Sequence, residues 1–516
     1  MANSSVLLPE RLLPAIPAMP SYLASRLVWL LLVSSSFAWV YSKTRQKSAN
    51  FPVINPPKGW LSLFTQDNIK YYLDNGWEVQ RRGAAEYGGQ PYNVITTDGV
   101  VTVLPPSLAQ EIRNEPNLSF LAVAATNLQS HLKGFDVYAV DTIQGELMLK
   151  VTRNKLPKFL AQMCKPIAEE ASIAVKLSLG QSSARMSSRV FLGPELCRDK
   201  AWLNVTKSFA LDSFQASDKL RRYPTWFRSF AATWLVPQAK LVRQQAIDAE
   251  KLVRAVIEKR RQQREQNGGT EKGEENSVDW FEDEAGGRVY DAGKTQLLLS
   301  AVAIQTTTDL LTEVMLRLAQ RPDFVQELRD EVASVLQAAG AWSKPALFNM
   351  KLLDSAIKEA QRMRPVLFGA MPRIALADVV IPCTGVTIPK GSRLAVSSLL
   401  HHDPSVYENP LEYDIHRFAD LRDDDSNSHS HLVSTGPASL GFGHGNHACP
   451  GRFFAANELK IALSFLLVNY DWKIDTENVD ISPENIGFTA NVNQTARVRF
   501  RRRAPEAIEI DLDNIR

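Results

Sequence analysis

From about residue 106 onward, apolar residues recur at three- and four-residue spacing, the period of amphipathic helices. The stretch 294–320 predicts one long helix. Pro322-Asp323 starts the next, because proline is tolerated in a helix's first turn. Residues 352–364 predict a short helix that Pro365 stops, and 451–470 a final one. Strand-like alternation is sparse. Residues 93–103 read as a hairpin turning at Asp98-Gly99, and 379–395 as a second, with turns at Gly385 and Lys390-Gly391. The stretch 258–287 is dense in charge and glycine, which predicts a solvated surface loop between two helices of one domain. The fold class is mainly α with a small β portion.

The N-terminus has a different pattern. Residues 27–42 carry no charge and are rich in Leu, Val and Trp. A membrane helix needs about 20 apolar residues. The window 22–41 meets this if Arg26 reaches back to the interface with its guanidinium. Lys43, Arg45 and Lys47 follow directly, which places the C-terminal side in the cytosol. A cleaved secretory signal ending near Ser36-Phe37-Ala38 is the competing reading. The predicted organisation is a lumenal stretch over 1–20, a single-pass anchor over 21–42, a basic, proline-bearing linker over 43–59, and a globular domain over 60–516.

Composition narrows the function. The 516 residues hold 59 basic and 56 acidic side chains, a balance unlike that of a nucleic-acid binder. Cys164, Cys197, Cys383 and Cys449 are scattered without Cys-x-x-Cys spacing. That argues against a disulfide scaffold or zinc site and suits a reducing compartment.

One cysteine stands apart. Phe442-Gly443-His444-Gly445-Asn446-His447-Ala448-Cys449-Pro450-Gly451-Arg452 is a glycine-punctuated loop running into a helix. Glycines allow backbone amides to approach sulfur. Helix-start N–H groups and the macrodipole favour a thiolate there. A thiolate on haem iron promotes O–O cleavage. A lone cysteine more often packs as a small hydrophobe, but Phe442, Gly445, Cys449 and Gly451 complete the spacing Phe-x-x-Gly-x-x-x-Cys-x-Gly. This loop resembles the haem-binding loop of the cytochrome P450 superfamily. The resemblance implies haem b (iron protoporphyrin IX) with Cys449 as axial ligand.

Three more segments extend the resemblance. Glu359-Ala360-Gln361-Arg362 lies 90 positions before the cysteine, in the family's order. Glu and Arg three apart share a helix face, although such pairs are common on surfaces. Tyr413-Asp414-Ile415-His416-Arg417-Phe418 resembles the family's Pro-x-Arg-Phe segment, with Ile415 in place of proline. The family places Glu359, Arg362 and Arg417 in one buried network behind the haem. Ala301 to Thr308 resembles the oxygen-binding groove, where the helix bulges and a threonine relays protons, a role that falls to Thr306. Ala303 and Gln305 stand where glycine and an acid are usual, and Gln305 has no titratable proton to give. By family position Arg153, Arg373 and His447 are candidates to neutralise the haem propionates.

The resemblance covers about residues 51–503, and several stretches look like ascomycete membrane-anchored members acting on terpenoids, such as ent-kaurene oxidases and indole-diterpene oxygenases. It implies a monooxygenase oxidising a lipophilic secondary metabolite, terpenoid or meroterpenoid, with O2 and electrons from NADPH-cytochrome P450 reductase, cytochrome b5 being an additional donor. A cytosolic donor favours an endoplasmic-reticulum anchor over secretion. Substrate-facing candidates are the segment 117–127, Leu299 and Val302, the segment 366–371, and the segment 487–491, with Phe120, Leu121, Leu367, Phe368, Met371 and Phe488 as apolar members. Two rivals remain: a haem-thiolate isomerase or dehydratase without O2 activation, and a non-catalytic haem-binding membrane protein.

Overall fold

A 29-residue helix, Ala292–Gln320, runs through the protein in this computed structural model. Asp291 caps it by accepting a hydrogen bond from the Lys294 amide (3.0 Å), and Arg321 leaves helical geometry just before Pro322 begins the next helix. The structure describes residues 29, 48–58, 66–177, 182–266, 275–422, 429–475, 481–504 and 510–515. Two units divide the chain at Lys47/Ser48. In the first, Trp29 alone is described, so the expected anchor over 21–42 lies otherwise outside the described residues. Among the described residues, no helix is long and apolar enough to cross a membrane.

The second unit is a helical body. The central helix packs against Ser182–Leu196, Lys200–Arg221, Pro237–Gln266, Lys351–Met363 and Arg452–Asn469. Its buried side presents Leu297, Leu298, Leu310, Leu311 and Val314 to one continuous core. Burying each such side chain contributes about 1.5–3 kcal/mol before entropy is counted. The last helix, Arg452–Asn469, is buried nearly all round, which fixes the loop before it from behind.

The β portion is larger than the sequence suggested. Strands β1 (Tyr92–Thr96), β2 (Gly99–Leu104), β3 (Leu118–Ser119) and β4 (Gly369–Ala375) join β7 (Arg393–Ser397) in one sheet of order β1-β2-β7-β4-β3. The first predicted hairpin is present, with Thr96 opposite Gly99. The second is not one unit: β5 (Val379–Ile381) and β6 (Val386–Ile388) pair with each other, while β7 joins β2 and β4. Two further ribbons pair β8 (Tyr470–Ile474) with β11 (Val498–Arg502) and β9 (Glu484–Ile486) with β10 (Thr489–Asn491).

Two other expectations change. The charged stretch 258–287 is not a loop throughout, since helix Pro237–Gln266 runs through its first part and Ser277–Ala285 forms another helix. Glu, Lys, Arg and Gln are strong helix formers whatever their polarity, and Asn276 with Asp279 forms a capping box. Part of the linker is packed as well: Ala49 is buried, and Asn93 Nδ2 donates to the carbonyls of Ala49 and Phe51.

Candidate active site

The Cys449 loop is held by its own backbone. The Cys449 amide donates to the Phe442 carbonyl (2.8 Å), and the Gly443 amide to that of Leu440 (2.8 Å). The turn Gly445–His447 closes with the Ala448 amide on the Gly445 carbonyl. Gly443 and Gly445 take φ of +67° and +74°, which side-chain-bearing residues rarely adopt. A Cβ on Gly445 would also lie 2.5 Å from Arg113. Gly451 differs, with an ordinary φ of −87° at the start of the last helix. A Cβ there would meet only Cys449 Sγ, at 4.0 Å, so the glycine leaves open space beside the sulfur.

The thiol itself departs from expectation. Burial pushes the Cys449 thiol above its usual range, and the Gly451 amide and Arg452 guanidinium offset this only in part. Helix-start groups therefore do not make a thiolate unaided. A metal cation bound to Sγ reverses the balance, because a coordinating thiol is deprotonated outright.

Behind the loop lies the helix Lys351–Met363. Glu359 Oε1 accepts from Arg362 Nη2 (2.7 Å) and from Arg417 Nε (2.9 Å), and its Oε2 from Arg362 Nε (2.8 Å). Glu359 and Arg362 are buried, and Arg417 also donates to the carbonyls of Glu408 and Asn409. Arg362 Nη1 donates to the His401 carbonyl, and His401 Nε2 accepts the Leu440 amide (3.1 Å). Burial pushes the His401 imidazole down to about 3, so it stays neutral and able to accept. The triad thus reaches the cysteine loop through His401, a link no sequence motif announced.

Arg153, Arg373 and His447 converge. Arg153 Nη2 donates to the Asn446 carbonyl, next to His447. Arg373 stands on β4 beyond a bulge between Ala370 and Arg373, where Met371 takes φ of +48°. Bulges re-aim the side chains that follow them. Burial lowers Arg373 to about 10, and burial plus the charges of Arg373 and Arg153 lower His447 to about 4. Nε and Nη2 of Arg373 have no partner among the described residues, although the side chain is buried. A buried cation with open donors calls for an anion. Together with the space beside Cys449 Sγ, that fits a group carrying both an iron and carboxylates.

Midway along its length the central helix exposes Val302, Gln305 and Thr306. Its backbone stays α-helical through the three threonines instead of bulging. Thr306 Oγ1 donates back to the Val302 carbonyl (3.0 Å) and Thr307 Oγ1 to that of Ala303 (2.7 Å), so both hydroxyls are absorbed by the helical ladder. Thr307 is buried while Thr306 is exposed. Among the apolar candidates, Phe120, Leu367 and Val302 are exposed. Phe368, Met371, Phe488 and Leu299 are buried. The Phe488 ring packs edge-on against Tyr72 and the Phe368 ring lies tilted against Trp77, so both rings turn into the core while Leu367 between these segments stays exposed.

The comparisons with known proteins agree with this geometry. A family model described as "Cytochrome P450" matches residues 141–496. The chain is 38% identical to cytochrome P450 monooxygenase hepE of Aspergillus oryzae, covering 92% of this chain and 90% of that protein. It is 36% identical to cytochrome P450 monooxygenase eqxH of Fusarium heterosporum, over 91% and 93% of the two chains. To cytochrome P450 monooxygenase TRI1 of Fusarium sporotrichioides it is 32% identical, over 98% and 96%. Among solved structures, the cytochrome P450DA haem domain superposes with a TM-score of 0.65 at 19% identity, over 89% of this chain and 98% of that one. The chain belongs to the cytochrome P450 family. It is a monooxygenase of that family, and its cofactor is haem b.

Proposed function

We propose that this chain is an endoplasmic-reticulum monooxygenase that oxidises a lipophilic secondary metabolite of the terpenoid or meroterpenoid class. Its electrons come from NADPH-cytochrome P450 reductase, with cytochrome b5 as a second donor. Residues 21–42 anchor it in the membrane, 1–20 lie in the lumen, 43–59 form the basic linker, and the catalytic domain, 60–516, faces the cytosol. The balance is R–H + O2 + NADPH + H⁺ giving R–OH + H2O + NADP⁺.

The observation that carries this reading is the exposed stripe of Val302, Gln305 and Thr306 on a largely buried helix, with Leu367 and Phe120 also exposed. Its surfaces are mainly apolar with few polar anchors, which suits a hydrocarbon-like substrate. Bound haem supplies O2 binding and O–O cleavage. Cys449 would hold its iron, and Arg373, Arg153 and His447 would neutralise its carboxylates. Glu359, Arg362 and Arg417 hold the supporting helix against the cysteine loop. Thr306 Oγ1 passes protons toward the oxygen side, exchanging its bond to the Val302 carbonyl for one to water. Gln305 orients that water through a neutral amide.

A haem-thiolate isomerase is not favoured, because it has no need of a hydroxyl in that stripe. Reconstitution with the reductase and a terpenoid panel tests the reading. NADPH oxidation must require both reductase and substrate, and oxygen-18 from O2 must enter the product. Product without label would overturn it.

A further inference from the structure

We propose that Arg364 is a positioning residue that sets the spacing between the oxygen-side face of the central helix and the wall formed by residues 366–368 and β10. The inference rests on the monooxygenase reading and names what shapes its cavity.

Arg364 follows the helix Lys351–Met363 directly and is buried. Its planar fork reaches two other chain segments at once, the central helix and β10. Nε donates to Glu313 Oε2 (2.7 Å), and Nη2 to Asp309 Oδ2 (2.6 Å). Nη1 donates to the Ala490 carbonyl (2.8 Å). Asp309 adds a second tie, since its Oδ1 accepts the Val492 amide (3.0 Å). Glu313 also accepts from Arg317, so the cluster holds two cations and two carboxylates. The wall then binds itself: the Ala490 amide donates to the Val366 carbonyl, Leu367 bridges to Thr489, and the Phe368 amide donates to the Phe488 carbonyl.

Asp309 stands three residues beyond Thr306, close to one helical turn on a neighbouring face. Leu367, an exposed wall residue, stands three beyond Arg364. One guanidinium thereby links the helix turn carrying Thr306 to the segment carrying Leu367. Lysine has the charge but no fork, so it cannot serve the carboxylates on the helix and the carbonyl on β10 together. With the tie loosened, the wall is free to shift while the Cys449 loop, held by Glu359 and Arg362, stays in place.

The test uses the full-length holoenzyme and two nitrogen ligands that bind iron from the oxygen side, imidazole and 4-phenylimidazole, read by the shift of the Soret band. In Arg364→Lys, haem content and the carbon monoxide band should match the wild type. Imidazole affinity should stay within about twofold, while that of 4-phenylimidazole changes about tenfold, the scale of a mis-sized apolar pocket. Asp309→Asn, which keeps the shape and weakens the same tie, should move the bulky ligand in the same direction. Equal affinities in wild type and both haem-replete variants would overturn the proposal. Loss of haem in both variants would also overturn it, by making the cluster a support of the fold alone. A wild type with no thiolate carbon monoxide band would defeat the haem-thiolate reading itself, before any variant is compared.

Discussion

Replacing Glu359 with alanine should empty the protein of haem. The carboxylate is buried and accepts three charge-assisted hydrogen bonds from two guanidinium groups. Without it Arg362 keeps one bond, to the His401 carbonyl, and Arg417 keeps those to Glu408 and Asn409. Breaking a buried ion pair by removing one partner costs about 3–5 kcal/mol. That is a large part of the ~5–15 kcal/mol that holds a folded protein together. The loss falls on the helix that braces the haem loop, whose Gln361 side chain packs so close to Gly441 that a Cβ there would lie 2.4 Å away. Haem per protein, measured as the reduced pyridine complex, should fall below about a tenth of wild type, and the thermal midpoint should drop with it. Arg362→Ala should be nearly as severe, and Arg417→Ala milder, because Glu359 then retains both bonds from Arg362. A purified Glu359→Ala protein with wild-type haem content and midpoint would refute the reasoning.

Four further outcomes follow from particular residues. Arg373→Met should weaken haem retention, yet stabilise the haem-free protein by about 1 kcal/mol or more, because a buried cation with open donors is replaced by an apolar side chain; denaturant unfolding of apo and holo forms checks both signs. Thr306→Ala should leave NADPH oxidation running while product per NADPH falls about tenfold and peroxide rises, and Thr306→Ser should restore coupling. Gly445→Ala should lose haem, since φ of +74° and a 2.5 Å approach to Arg113 both oppose a methyl group; the carbon monoxide band is the readout. Glu458 is buried on the last helix beside Ser187, and burial raises its carboxyl to about 8. A folded-state value above the unfolded one means its stabilising contribution is complete at low pH and is lost as pH rises through about 8. Glu458→Gln should flatten the fall in thermal midpoint between about pH 4.5 and 8, the window between the ordinary and the raised value.

The sequence announced the parts whose chemistry depends on local spacing. The helices around Glu359 and Thr306, the restart at Pro322 and the Cys449 loop are all written in residues a few positions apart. What it hid depends on partners distant in the chain. β4 and β7 pair across the 379–391 excursion, and β7 runs parallel to β2 from the N-terminal part, which no local alternation reveals. Over 258–266 dense charge suggests a loop, yet Glu, Lys, Arg and Gln are strong helix formers and the helix runs on to Gln266. Arg364 and His401 look like ordinary polar residues in sequence, and each gains meaning from a contact made more than thirty positions away. Phe488 and Phe368 illustrate the reverse: apolar residues at pocket positions whose rings turn into the core.

The most direct test of the central claim is the carbon monoxide difference spectrum of the dithionite-reduced protein beside Cys449→Ala. A red-shifted Soret band in the wild type that vanishes in the variant is the predicted result. A haem-replete wild type without that band, or a variant that keeps it, would contradict Cys449 as the ligand of the haem iron.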